Sequence, residues 1–293
     1  MNSLFENWQK LGDISPKTLK PAVEEIHHGV QFIAMVGKYF VENQPDDSHT
    51  NMEWLQEEEV LAGNWVKAPK GNFRLAMRPK DLALQIYDAQ MQRVDECTLH
   101  GMTNVQACRW VESHLDQFGE DSSKMNLMLH YEIPNHKTDE GKPYQLFDQP
   151  LFEEMAKYRA NSDLLLRYFA SQYNTASPVR TWPHHFDNGT YIPVAFGKDG
   201  AHLKSFSIGL GIPDEASDEP YFYITTWSKA GDNSYENVAP LPAGEWISTP
   251  FTGAILRASE IVAKPSAEEQ ANLVLNFLEH GIASSLQIIG VQP

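Results

Sequence analysis

The fold class is decided by Asn72-Phe73-Arg74-Leu75-Ala76-Met77-Arg78, Pro79-Lys80-Asp81 and Leu82-Ala83-Leu84-Gln85-Ile86-Tyr87-Asp88. Phe73, Leu75 and Met77 alternate with polar or small residues, as a sheet with one wet face requires. Pro79-Lys80-Asp81 makes the reversal. A third run at 92–99 extends the pattern, so 50–100 reads as an antiparallel meander.

Upstream, Val23, Ile26, Val30, Ile33 and Ala34 recur at helical spacing and predict an amphipathic helix over 21–37, with Gly37 at its end. Residues 38–43 read as extended and 44–48 as a turn. Downstream, Thr103 can cap a helix of about 104–118 with Val105, Cys108, Val111 (or Glu112) and Leu115 on its inner face. A strand is expected at 124–132, followed by a long polar connection containing Pro134, Pro143 and Pro150.

The second half opens with a helix of about 150–173, given apolar contacts by Phe152, Met155, Leu165, Tyr168 and Phe169. Strands are expected at about 179–187, 190–196, 204–211 and 219–227. In the last, Tyr221, Tyr223, Thr225 and Trp227 share one face and Phe222, Ile224 and Thr226 the other. Bulk on both faces predicts a central strand. Thr249-Pro250 reads as a cap and first-turn proline for a short helix at 251–262. Ser266-Ala267-Glu268-Glu269 reads as the capping box of a last helix at 267–287.

Helices and strands come in segregated groups rather than strict alternation. That favours an α+β fold, mostly antiparallel sheets with flanking helices, over a doubly wound parallel sheet. The polar connection marks 1–147 and 148–293 as two halves, whether of one continuous domain or of two.

Composition narrows the function classes. The chain has 293 residues and a net charge of −16. Charge of this sign repels phosphate backbones and anionic membrane surfaces, and no basic patch offsets it, so neither nucleic acid nor membrane is an expected partner. No apolar run approaches the ~20 residues that span a bilayer. Cys97 and Cys108 form no CxxC pair, and the N-terminal residues lack a signal-peptide pattern; the expected location is cytoplasmic. Composition leaves the oligomeric state open.

The leading candidate site is Trp182-Pro183-His184-His185-Phe186-Asp187. In an extended stretch, His185 and Asp187 face one side while His184 and Phe186 face the other. An imidazole and a carboxylate on one face suit a His–Asp acid/base pair or two ligands of a divalent metal. Such a metal needs a third ligand, with Glu219 as the first candidate and Glu245 the second. Arg180, on the face of Trp182 and His184, could bind an anionic group. Trp182, Tyr221, Tyr223, Trp227 and Trp246 could line a small-ligand pocket. The alternative reading makes one of the two histidines a core residue bonded to backbone, with Asp187 closing the turn at Asn188-Gly189.

Two other patterns invite chemistry. Glu24-Glu25-Ile26-His27-His28 places Glu24 with His27, and Glu25 with His28, at the i,i+3 spacing of di-iron bundles. The chain has no second Glu-x-x-His for a partner helix, so this reads as a charged outer face with one histidine dipping inward. Gly209-Leu210-Gly211 lacks the rest of either phosphate-loop pattern and reads as strand glycines that make room for a neighbouring aromatic. No G-x-S-x-G elbow is present, and Cys97 and Cys108 read as structural thiols.

The run 177–187, with its Trp182-Pro183-His184-His185-Phe186-Asp187 core, is followed by Ser207-Ile208-Gly209-Leu210-Gly211 and Glu219-Pro220-Tyr221-Phe222-Tyr223. This resembles an uncharacterised bacterial protein family with a WPHHFD…IGxG…EPYxY signature. Phe251-Thr252-Gly253-Ala254-Ile255-Leu256 is similar to a later segment of that family. Where the family has a His-Trp-His ahead of that segment, this chain has Glu245-Trp246-Ile247. The resemblance implies a site at 182–187 and 219–227 and implies no reaction.

Two functions fit these residues. One is a hydrolase-like enzyme acting on a small molecule. In it His185 is base or metal ligand, Asp187 its orienter or co-ligand, and Glu219 a third ligand or acid. The other is a non-catalytic protein that binds a small polar ligand in an aromatic-lined pocket.

Overall fold

The structure is a computed structural model, and it describes residues 6–231, 233, 235 and 238–291. The helices are α1 (Lys20–Gly29), α2 (Gln31–Phe40), α3 (Asn104–Phe118), α4 (Gln149–Ala170), α5 (Ala258–Val262) and α6 (Ala267–Ile288). The strands are β1 (Glu53–Leu55), β2 (Val60–Ala62), β3 (Phe73–Arg78), β4 (Ala83–Asp88), β5 (Arg93–Thr98), β6 (Arg180–Thr181), β7 (Asn188–Phe196), β8 (His202–Gly211), β9 (Tyr221–Ser228), β10 (Glu245–Ile247) and β11 (Gly253–Arg257). The fold is α+β, with antiparallel sheets and flanking helices.

The chain divides into two compact units. An N-proximal unit comprises Pro21–Ala156 and Arg180–Phe186; a C-proximal unit comprises Met1–Lys20, Lys157–Val179 and Asp187–Pro293. This division differs from one at 147/148: the boundary falls inside α4, the first twenty residues join the C-proximal unit, and the 180–186 stretch joins the N-proximal one.

In the N-proximal unit the sheet order is β1-β2-β3-β4-β5, antiparallel throughout, with Phe73 opposite Asp88 and Arg78 opposite Ala83. Helices α1 and α2 supply the buried Val23, Ile26, Phe32, Ile33 and Val36, and β3 and β4 supply Leu75, Met77, Leu84 and Ile86. The single helix expected over 21–37 is two, broken at Val30, and α2 continues through Gly37 to Phe40 instead of giving way to an extended stretch. Gly37 answers to packing, not termination: a Cβ there would lie 2.3 Å from the His49 carbonyl oxygen. Thr103 and Gln106 form a capping box on α3, as expected, although Val105 lies outside its inner face at 52% exposure. No strand forms over 124–132; a 3-10 turn at Ser122–Lys124 leads into irregular chain.

In the C-proximal unit the strands run β10-β11-β9-β8-β7, so β9 is central, as its two bulky faces required. Helix α6, opened by the Ser266–Glu269 capping box, buries Val274, Phe277, Leu278 and Ile282. The helix expected at 251–262 is shorter. Residues Gly253–Arg257 instead pair with β9 as β11, the Thr249–Pro250 peptide is cis, and only Ala258–Val262 is helical.

Candidate functional site

The 182–187 stretch is not extended. Phe186 N–H donates to the Trp182 carbonyl at 2.7 Å and Phe186 has φ of 52°, so 183–185 form a turn between β6 and β7. The expected strand 179–187 is thus reduced to Arg180–Thr181, and strand alternation does not govern which way the two histidines point. The turn is held from α1 and α2. The Pro183 carbonyl accepts from His27 Nε2 at 2.8 Å and from Gln31 Nε2 at 2.9 Å. The Phe186 ring stacks on His27 with centroids 5.1 Å apart.

Each proposed residue has a place. Arg180 lies 3.8 Å from Glu53, and Trp182 meets His184 edge-on at 6.0 Å. His184 packs on Tyr131 at 5.7 Å and on His185 at 4.5 Å, and His185 is exposed. These residues belong to the N-proximal unit; Asp187, Glu219, Tyr221, Tyr223 and Trp246 belong to the C-proximal one. Asp187 accepts from the Tyr223 hydroxyl at 2.6 Å. Glu219, 1% exposed, accepts from Ser259 N–H at 2.8 Å and so caps α5. Trp246 donates to the Ala239 carbonyl at 3.2 Å. Among the described residues, no group of three or more His, Cys, Asp or Glu side chains is arranged to hold a metal ion.

The glycine reading holds. A Cβ on Gly209 would lie 2.4 Å from the Tyr223 ring and hydroxyl, and one on Gly211 2.5 Å from the Tyr221 ring. The tyrosines lie across the bare backbone of β8 with their hydroxyls on Asp187 and Asp214. Burial and the Asp187 charge push the Tyr223 hydroxyl well above its ordinary pKa, so it is a donor and not a base. Nearby, Arg159 of α4 is 2% exposed, and burial pulls its guanidinium down to about 10 against the opposing influence of Asp187 and Tyr223. Sequence reasoning missed Arg159; the available signal was a cation on the Phe152–Met155 apolar stripe.

The more open chemistry lies in the N-proximal unit, around the Glu-Glu-Ile-His-His run of α1. Here the charged-outer-face reading fails: Glu25, His27 and His28 are 1%, 5% and 6% exposed. Residues 134–145 cover Glu25 and His28, and the 183–186 turn covers His27, long-range effects that α1's own sequence does not announce. His28 Nε2 is 2.9 Å from the Pro134 carbonyl, and its ring lies against His136 with centroids 4.6 Å apart. Burial pulls His28 below its ordinary pKa of 6.5; the Pro134 bond and the Asp139 and Glu24 charges oppose this and His136 reinforces it. Burial alone would raise Glu25. Hydrogen bonds from His136 and Lys137 outweigh it and hold the carboxylate below its ordinary value.

Two clefts open beside these groups. One, of about 600 Å³, is lined by Glu24, Glu25, His136, Lys137, Glu140 and Lys142 among others, and its charges are largely paired with one another. The other, of about 340 Å³, has apolar walls of Phe32, Met35, Leu127, Leu129 and Ile133. Into it converge His28, Gln31, Asn104, Tyr131, Asp139 and Tyr144. Gln31 ties this cleft to the 182–186 turn: its amide donates to the His27 and Pro183 carbonyls, and its oxygen accepts from Tyr131 at 2.8 Å. The thiols take no part, because burial pushes both Cys97 and Cys108 up to about 12.

Fold and clefts together define an α+β protein with a mixed apolar and polar cleft of small-ligand size. No helix among the described residues is long and apolar enough to cross a membrane. No protein-family model, no curated protein and no solved structure matches the chain.

Proposed function

We propose that the protein binds a small organic molecule in the 340 Å³ cleft of the N-proximal unit. The carrying observation is the convergence of His28, Gln31, Tyr131 and Asp139 on an apolar wall built from α2 and 127–133. Small-ligand sites combine this kind of apolar enclosure with a few fixed polar groups and perturbed titratable side chains. Here the polar groups are preorganised. Tyr131 is fixed by Gln31, Gln31 by two carbonyls, and Tyr144 by Asn104 at 2.7 Å. The Trp-Pro-His-His-Phe turn then acts as scaffold, fixing Gln31 through the Pro183 carbonyl and packing His184 against Tyr131.

The hydrolase-like reading has less support. Asp187 and Glu219 each hold a hydrogen bond within the C-proximal unit, and the ring packed on His185 is that of His184, not a carboxylate that would orient it as a base.

The binding reading is tested by titrating isotope-labelled protein with 2-phenylethanol and following side-chain amide signals. Gln31 and Asn104 are expected to shift together, and Met35→Trp, which fills the cleft, should abolish the response. Shifts that spare both amides, or that survive Met35→Trp, would overturn the reading.

A further inference from the structure

All but one of the hydrogens on the cleft's amide and phenol groups are already committed to acceptors within the protein. Tyr131 donates its hydroxyl proton to Gln31 Oε1, and Tyr144 donates its own to Asn104 Oδ1. Both hydrogens of the Gln31 amide have carbonyl acceptors, His27 at 2.8 Å and Pro183 at 2.9 Å. Asn104 Nδ2 donates one of its two to the Thr138 carbonyl at 3.1 Å. His28 Nε2 faces the Pro134 carbonyl at 2.9 Å; a carbonyl only accepts, so the ring proton is on Nε2. In the neutral ring favoured by burial, Nδ1 is then a bare acceptor.

That acceptor looks at another. Asp139 Oδ1 lies 3.8 Å from His28 Nδ1, beyond hydrogen-bonding distance, while Asp139 Oδ2 accepts from His136 N–H at 2.9 Å. Tyr144 is buried and its oxygen also has the Thr138 side chain as a hydrogen-bond partner, so what the cleft offers an occupant is two facing acceptors, the lone pairs of the Tyr131 oxygen and a single N–H. An anionic or acceptor-rich ligand would be desolvated without partners. A ligand with several N–H groups and a positive charge would satisfy both acceptors, and the rings of Phe32, Tyr131 and Tyr144 would add cation–π attraction.

We infer that the ligand is an apolar amine whose ammonium group sits between His28 Nδ1 and Asp139 Oδ1, a conclusion that rests on the cleft being the binding site. Specificity lies in the donor inventory rather than in shape: the site discriminates charge and donor count on one hydrophobic skeleton.

Calorimetric titration of the full chain at neutral pH with three ligands of one skeleton tests this: 2-phenylethylammonium, 2-phenylethanol and 3-phenylpropionate. The amine should bind at least about ten-fold more tightly than the alcohol, the order expected of one charge-assisted hydrogen bond. The carboxylate should not bind detectably. Asp139→Asn should weaken the amine about ten-fold and the alcohol by clearly less, since only the amine loses a charge-assisted bond. Equal binding of alcohol and amine, tighter binding of the carboxylate, or an amine affinity indifferent to Asp139→Asn would overturn the inference while leaving the binding reading standing. If none of the three binds, the cleft is not a ligand site and both fall. The comparison among ligands uses the unaltered protein, so the result does not depend on how the variant folds.

Discussion

Gly209 shows how a single residue fixes the C-proximal sheet. An alanine Cβ there would lie 2.4 Å from Tyr223 and 2.5 Å from the Asn188 carbonyl oxygen, a backbone atom that cannot simply rotate away. Gly209→Ala should therefore cost about 1–3 kcal/mol, the range for overpacking a close-packed site. It should also displace the Tyr223 hydroxyl from Asp187. Tyr223→Ala removes the ring, and in the double variant the clash is partly relieved, so the two losses should sum to more than the double variant's. Urea midpoints of the three variants check this; strict additivity would mean that Gly209 and Tyr223 do not compete for the same space. Glycine's role here was legible in the sequence because an aromatic strand follows two strand glycines. Arg159 and Glu25 were not, because their burial is set by chain far away in sequence: Asn188 for the one, 136–145 for the other.

At the scale of elements, helices with their own start signals were legible and those ended by tertiary packing were not. Helices α3 and α6 carry complete capping boxes, Thr103 with Gln106 and Ser266 with Glu269, and both begin where sequence placed them. The α1–α2 break at Val30 interrupts an unbroken apolar period, and α2 outruns Gly37 because His49 packs against that glycine. The 182–187 turn was misread for a similar reason. Its residues suit a strand, but the Pro183 carbonyl is captured by His27 and Gln31, more than 150 residues earlier. Local caps also give a local prediction. Thr103→Ala and Ser266→Ala should each lower stability by about 1 kcal/mol. Thr103→Ser and Ser266→Thr should retain most of it. Hydrogen exchange should show faster exchange at the Gln106 and Glu269 amides, which the capping side chains accept from, with little change at mid-helix positions. Unchanged protection at those amides would show the caps to be ornamental in this fold.

For the whole molecule the question is how an acidic chain with buried histidines responds to pH. His28 and His49 are both held below their ordinary 6.5 chiefly by burial. Between the folded and unfolded values the unfolded chain binds more protons, so stability rises with pH there. This contribution is fully present above about 6.5 and is lost as pH falls through the folded values. Glu25 and Glu96 are depressed below 4.5: burial opposes this, and bonds from His136 and Lys137, or from Gln85 and Arg78, override it. Their stabilisation is lost in a second, more acid window as pH falls below 4.5 through the folded values. One effect runs the other way, since a net charge of −16 at pH 7 shrinks toward zero near the pI of about 5.0 and self-repulsion eases. Salt separates the two. Self-repulsion between exposed charges is screened within about 3 Å at 1 M ionic strength, whereas the desolvation of a buried imidazole is not. At high salt the urea midpoint should therefore fall between pH 7 and pH 5, then fall more steeply below 4.5. His28→Gln, which keeps a donor for the Pro134 carbonyl, should flatten part of the first decline and leave the second in place. A midpoint that rises steadily from pH 7 to pH 5 at high salt would show that the histidines are protonated without penalty and that His28 is not the neutral acceptor that the cleft requires.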